Sequence, residues 1–395
     1  MRQVVKIFDG LHWFVSRAVL AACKLMLYRQ PANALDTIVV LRNCFFGDFV
    51  VAIPALRALR TAYPDARIVF LTATSFAPGW KDRVQNNSLF DIERGLIDEV
   101  VHYNSEDLRN PVNRAALRAR IKCTGPAVSL ALCCSADGLR SRLKRVLLCG
   151  LLGLPFPLGL TGARTLPAQR TLNRWRVERA DVVHQYQAAL GSVNELLCRL
   201  NRQIMPLDFA VRPALLARRP APMLIGVAPF TKQPVKQWPL ERFAAVMVQL
   251  AQETGAHFEV YGAPEECEMA LQLDAMLRGR AAVTSLCGAL TPAQLRQRLE
   301  TVDLLIGLDS GPMHVASLVG TPAVAIFSQI TLHQFWRPWG PGGELVSTKV
   351  PCAQCDTRSG ACPLGTRACI DGISADAVLQ RVRLLLVPTA QEADA

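Results

Sequence analysis

The chain has 395 residues, 51% of them hydrophobic, with 25 glycines and 25 prolines. That length suffices for two domains with sizeable cores, and the composition excludes a disordered or fibrous chain. Lysine and arginine number 44 against 32 acidic residues, a net charge of +12. Such an excess calls for an anionic partner, a phosphorylated substrate or a membrane surface. There is no RNA-stacking aromatic signature and no finger spacing, which argues against nucleic acid.

Residues 4–28 are mostly apolar, and Lys6, Arg17 and Lys24 share one narrow helical face. We expect an N-terminal helix over residues 1–32, lying in a membrane interface or packed on the body of the protein. Asp9 and Arg17 interrupt what would be the core of a signal peptide, and Arg17 and Lys24 handicap a membrane span.

Thr37–Leu41 is a β-branched run of buried-strand type. A helix after Asp48 closes at Tyr63-Pro64-Asp65, and strands at Arg67–Leu71, Val100–Tyr103 and Ala127–Leu132 continue the alternation. Val182–Leu197 reads as helix, and the basic stretch after it as a linker. The pattern restarts with strand Met223–Ala228, helix Glu241–Glu253, strand His257–Tyr261, helix Glu265–Leu277 and helix Pro292–Glu300. An apolar run with Val302 and Leu304–Ile306, then Ala323–Phe327, gives two more strands. A final helix covers Ala375–Leu386. Alternation of this kind predicts parallel sheets with crossover helices. The expected organisation is an N-terminal helix (1–32), a first domain (33–205), a linker (206–222), a second domain (223–374) and a terminal helix and tail (375–395). No Gly-x-Gly-x-x-Gly follows any candidate strand, which argues against a nicotinamide dehydrogenase.

Three segments carry chemistry. In the first, Gly47 permits a tight turn after a strand, and Asp48 stands at a helix start. That aspartate is either an ordinary helix-cap residue or a carboxylate placed to take a hydroxyl proton. The second, Gly226 to Pro239, contains Thr231, Lys236 and Trp238-Pro239; the last two suit packing and helix initiation. The third, Asp309-Ser310-Gly311-Pro312-Met313-His314, is a strand-to-helix turn whose free backbone N–H groups suit a phosphate.

Together these segments resemble glycosyltransferase family 9, the ADP-heptose:lipopolysaccharide heptosyltransferases. The resemblance implies a GT-B fold: α/β, two Rossmann-like doubly wound domains facing a cleft. It implies an inverting transfer of heptose from ADP-heptose to a lipopolysaccharide inner core of the Kdo-lipid A type, at the cytoplasmic face of the inner membrane. Asp48 would be the base. Thr231, Lys236, Asp309, Ser310, Gly311 and His314 would bind the donor, and no cofactor would be needed for transfer. The basic residues Lys81, Arg83 and Arg94 are candidates for the anionic acceptor, with Arg164, Arg170, Arg174 and Arg176 in a second basic loop. The alternatives are a heptosyltransferase acting on an autotransporter protein and a non-catalytic, membrane-associated binding protein. Three departures stand out. Gln237 replaces an arginine before Trp-Pro, Ser328-Gln329-Ile330 stands for Gly-Pro-Thr, and Cys133-Cys134-Ser135-Ala136-Asp137-Gly138 replaces an acidic-aliphatic strand ending.

Thirteen cysteines are present. Nine scatter through apolar segments, as buried free thiols would in a reducing compartment. The other four, Cys352, Cys355, Cys362 and Cys369 within a loop over 350–370, have a spacing open to a zinc or iron site or to free thiols. Related heptosyltransferases of autotransporters bind iron through cysteines near this end.

Overall fold

The computed structural model describes residues 34–43, 45–73, 90–132, 139–160, 184–200, 222–330, 333–340, 342–352 and 361–386, together with 18, 202 and 355. The chain divides into two compact units, Met1–Leu207 and Asp208–Ala395. Each is built on one parallel sheet.

In the first unit β1 (Thr37–Leu41), β2 (Arg67–Ala73), β3 (Glu99–Tyr103) and β4 (Ala127–Ala131) lie in the order β3-β2-β1-β4. Leu41 of β1 stands beside Leu71 on one side and Ala131 on the other. All five residues of β1 are buried, so its apolar run is continuous and does not alternate. Helix α1 (Phe46–Ala62) follows β1 and is buried from Phe49 to Leu59 except at Arg57. A helix apolar all round needs cover on several faces. The sheet supplies one, where the Phe49 ring meets the Phe70 edge at 5.5 Å. Helix α5 (Gln185–Arg199) supplies another.

Three helices escape a reading by apolar pattern: α2 (Ser105–Arg109), α3 (Pro111–Ile121) and α4 (Leu139–Leu152). Helix α3 is rich in Ala and Arg and buries just Leu117 and Ile121, and α2 buries none of its residues. Asn104 and Asn110 start α2 and α3, each side chain accepting two backbone N–H bonds.

In the second unit six parallel strands lie in the order β10-β9-β8-β5-β6-β7. They are β5 (Leu224–Ala228), β6 (His257–Val260), β7 (Ala282–Ser285), β8 (Leu304–Leu308), β9 (Ala323–Ile326) and β10 (Gly343–Val346). Counted within the unit this is the dinucleotide-fold order, and the strand sequence reverses direction between β5 and β8. The helices are α6 (Leu240–Thr254), α7 (Cys267–Leu277), α8 (Pro292–Leu299), α9 (Gly311–Val319), α10 (His333–Trp336), α11 (Ala368–Asp371) and α12 (Ala375–Leu386). A short 3-10 turn, Pro264–Glu266, precedes α7 where the pattern suggests one helix from Glu265. The edge strands β7 and β10 are absent from the sequence reading. β7 is largely exposed and β10 spans only Gly-Glu-Leu-Val, so neither presents an apolar run.

Trp238 is fully buried, stands edge-on to Phe243 at 4.8 Å, and donates its indole N–H to the Ile373 carbonyl at 3.0 Å. Pro239 caps α6. Both therefore serve packing and helix initiation. Helix α12 lies on α6 and on the β9–β10 edge. Arg383 of α12 binds Glu253 of α6 at 2.5 Å.

The expectation of buried thiols needs correcting. Outside the 352–369 group, Cys149 is buried, Cys123, Cys267 and Cys287 are half-buried, and Cys198 is exposed. Cys198 occupies the outward face of α5, whose buried face is formed by neighbours such as Leu196 and Leu197. The expected N-terminal helix with Lys6, Arg17 and Lys24, and residues 203–221 around the expected linker, lie outside the described residues. Among the described residues no helix is long and apolar enough to cross a membrane.

Candidate active site

In an open parallel sheet, ligands bind beyond the carboxyl ends of the strands where the strand order reverses. In the second unit that point lies between β5 and β8. The strands approach closely there: a Cβ at Gly307 would stand 2.9 Å from the Ala228 carbonyl oxygen. The loop leaving β5 is fastened by Gln237. Its side chain accepts the Thr231 N–H at 3.3 Å and donates to the carbonyls of Pro229 at 2.7 Å and Trp238 at 2.9 Å. Gln237 thus fastens the loop through a neutral amide. Within that loop Thr231 Oγ1 accepts the Gln233 N–H at 3.3 Å, and a 3-10 turn, Pro234–Lys236, aims Lys236.

Lys236 Nζ meets Asp309 Oδ2 at 2.6 Å, with the two side chains only 15% and 9% exposed. Two residues singled out by motif, 73 positions apart, form a half-buried ion pair across the reversal point. Lys232 turns elsewhere and pairs with Glu265 at 3.3 Å.

Asp309 ends the loop after β8, and α9 begins at Gly311 with Pro312 in its first turn. The first N–H groups of a helix lack intrahelical partners and favour an anion. Ser310 occupies the cap position by backbone, yet its side chain makes no cap bond, and its buried hydroxyl has no partner. It departs in this from the capping role its type suggests. His314 is 3% exposed. Its ring lies nearly parallel to Trp339 at 5.8 Å and tilted to Trp336 at 5.7 Å. Burial pulls its pKa from 6.5 to about 4, with Asp309 opposing and Lys236 assisting. The imidazole is therefore neutral, and its buried Nδ1 is unpartnered.

His333 of α10 joins the same set. Burial lowers its pKa, a bond with the Ser328 backbone and the charge of Asp309 oppose, and its Nε2 is buried without a partner. Buried polar atoms are nearly always hydrogen-bonded. Ser310 Oγ, His314 Nδ1 and His333 Nε2 therefore mark where a polar ligand would be held. The motif reading missed His333, Trp336 and Trp339. The run His-Gln-Phe-Trp-Arg-Pro-Trp is dense in aromatics, but it follows no strand or helix period, and that density was the one signal present.

In the first unit the reversal point lies between β1 and β4. Arg42 is fully buried there and donates to the Leu132 carbonyl at 3.3 Å. Asn43 Oδ1 accepts the Ala73 N–H at 3.0 Å and the Tyr103 hydroxyl at 3.3 Å. These bonds tie together the carboxyl ends of all four strands. Asp48 sits in the first turn of α1, half-buried, with Oδ2 accepting the Phe45 N–H at 3.1 Å. The cap reading of this aspartate is thus visible in the geometry. Arg94 is exposed, whereas Lys81, Arg83, Arg164, Arg170, Arg174, Arg176 and the stretch 133–138 lie outside the described residues.

Cys352, Cys355, Cys362 and Cys369 feel one another's charge. Burial raises the pKa of Cys355, and its three partners add to that. Burial likewise raises Cys369, whereas backbone N–H groups led by Arg367 and Leu364 lower Cys362. Among the described residues, however, no group of three or more His, Cys, Asp or Glu is placed to hold a metal ion.

Residues 178–363 match glycosyltransferase family 9 (heptosyltransferase). Lipopolysaccharide heptosyltransferase 3 of Escherichia coli is 32% identical over 117 residues, 29% of this chain and 34% of the relative. Lipooligosaccharide heptosyltransferase 2 of Campylobacter jejuni subsp. jejuni serotype O:6 is 28% identical over 156 residues, 39% of this chain and 48% of the relative. The chain thus spans a third to a half of the curated relatives it matches. Solved structures extend the likeness in fold to both units. The glycosyl transferase family 9 protein of Veillonella parvula superposes with a TM-score of 0.61 at 19% identity, covering 90% of this chain and 98% of that one. The ADP-heptose lps heptosyltransferase II of E. coli gives 0.55 at 18%, covering 91% and 100%. The family match is confined to residues 178–363, whereas the likeness in fold covers nearly the whole chain, which is a GT-B fold of two Rossmann-like units.

Proposed function

We propose that the protein is an inverting glycosyltransferase that moves a heptose from ADP-heptose to a lipopolysaccharide inner-core acceptor of the Kdo-lipid A type. The observation that carries this reading is the Lys236–Asp309 pair beside the start of α9, with Ser310 Oγ and His314 Nδ1 left unbonded around it. A diphosphate fits such a place: the helix start and Lys236 supply positive charge, and a hydroxyl supplies a donor.

In the reaction the acceptor hydroxyl oxygen forms a bond to the anomeric carbon, and the bond from that carbon to the diphosphate breaks. Asp48 takes the hydroxyl proton. That role uses the carboxylate already held at the start of α1. Negative charge grows on the departing ADP, where Lys236, the α9 N–H groups and Ser310 meet it. Neutral His314 can donate or accept one hydrogen bond without adding charge. No metal enters these steps. A structural zinc or iron at the four clustered cysteines is a separate proposal, tested by elemental analysis. The net charge of +12 suits an anionic acceptor at a membrane surface, and we place the protein peripherally on the cytoplasmic face of the inner membrane.

The deciding experiment incubates the whole protein with ADP-heptose and a panel of acceptors, following ADP release and acceptor mass. The lipid core should gain one heptose, and Asp48→Asn should abolish transfer while ADP still binds. Transfer to a protein and not to the lipid would move the acceptor to the autotransporter class. Absence of ADP binding would overturn the assignment.

A further inference from the structure

Two half-buried thiols of the second unit meet at the carboxyl ends of β6 and β7, outside the set of residues described above. Cys267 opens α7, and Cys287 follows β7. The Cys287 thiol donates to the Ala263 carbonyl at 3.2 Å. The Cys267 thiol donates to the Cys287 carbonyl at 3.4 Å and reaches the Ala263 carbonyl at 3.9 Å. The Cys267 side chain is close enough to help raise the pKa of Cys287.

The surrounding backbone leaves room for this pair. A Cβ at Gly262 would stand 2.6 Å from the Cys287 sulfur, and one at Gly288 would stand 2.9 Å from the Cys267 sulfur. Two glycines, one on each turn, open the space the two sulfurs fill. The turns are bound side by side by the Leu286 N–H to the Val260 carbonyl and the Gly288 N–H to the Gly262 carbonyl, both at 2.9 Å. A cross-link between them requires such fixed neighbours.

We propose that Cys267 and Cys287 close reversibly to a disulfide by exchange with an oxidised small-molecule disulfide. The thiolate of Cys267 attacks one sulfur of that reagent, forming a mixed disulfide and expelling one small thiolate. The thiolate of Cys287 then attacks the Cys267 sulfur and expels the second. The two protons lost by the protein go to the two small thiols, so the cysteines are oxidised by two electrons and the reagent is reduced by two. Cys287 holds its proton, its pKa pushed up to about 12 by burial, then by Cys267 and Glu266. Once Cys267 carries an adduct, its contributions vanish and Cys287 ionises more readily. The closed pair would brace the Gly262 turn against Phe230, whose ring a Cβ at Gly262 would meet at 2.8 Å.

Tryptic cleavage isolates the pair, because residues 243–278 and 281–296 form peptides with one cysteine each. The whole protein is equilibrated in glutathione redox buffers, quenched in acid, alkylated and digested for mass spectrometry. The expected product is the two peptides joined, lighter by two hydrogen atoms and parted by reductant. In Cys287→Ser the linked species disappears, and Cys267 retains glutathione. The wild-type result decides the matter even if that variant fails to fold. Recovery of both wild-type peptides alkylated, as separate glutathione adducts, or joined to other cysteines would overturn the proposal.

Discussion

Lys236 holds two tasks at once, neutralising Asp309 and offering charge to a diphosphate. Lys236→Ala should weaken ADP binding about 10- to 100-fold, the worth of a hydrogen bond to a charged group. Calorimetric titration with ADP measures this. The same change strands a carboxylate that is 9% exposed, so stability should fall by about 3 kcal/mol. Adding Asp309→Asn should recover part of that loss, although not the ADP affinity. His314 yields a pH signature. Its folded pKa, about 4, lies below the ordinary 6.5, so the unfolded chain binds the extra proton first. Stability should therefore fall on acidification from about pH 6.5 to about 4, by about 3 kcal/mol at full extent, and His314→Gln should flatten that slope. Denaturant midpoints across this range give the answer. At this scale the motifs were legible: Lys236, Asp309 and Ser310 sit together as their spacing to strand ends implies. Orphaned atoms were not, because a missing hydrogen-bond partner is a fact of three dimensions. His333 belongs to a segment with no period to announce it.

The elements most plainly written in the sequence are the central strands. β1 and α12 have the expected bounds, since a fully buried strand and a strongly amphipathic helix leave continuous or periodic apolar patterns. Edge elements such as β7, β10 and α3 bury few side chains, so pattern alone passes over them. Gly307 shows how an element positions the site. Gly307→Ala would push a methyl group to within 2.9 Å of the Ala228 carbonyl and 3.0 Å of the Ala228 methyl. Overpacking between central strands should cost about 1–3 kcal/mol, read from urea unfolding. Because β8 leads directly to Asp309, ADP affinity should fall in the same variant, even where the folded fraction is saturated.

Across the whole molecule, the repetition of one plan in two units was readable from alternating strand and helix segments. The order of the strands was not, because nothing local tells β8 to pair with β5. A net charge of +12 also acts at this scale. Deleting residues 1–30 should shift the protein from sedimenting with anionic vesicles to remaining in the supernatant, and raised salt should weaken what binding persists. Retained vesicle binding by the truncated protein, unchanged by salt, would leave the segment without that role. The closure of the second unit carries a different consequence, one of timing. Helix α6 is covered in part by α12, and Glu253 meets Arg383 across 130 residues of chain. A ribosome adding about 5–20 residues per second delivers α12 on the order of ten seconds after α6. During that interval the nascent chain carries an apolar helix face whose cover has not been synthesised. Chaperone capture of stalled chains should be strong for those ending before residue 375 and should drop once Val378, Leu379 and Val382 have emerged.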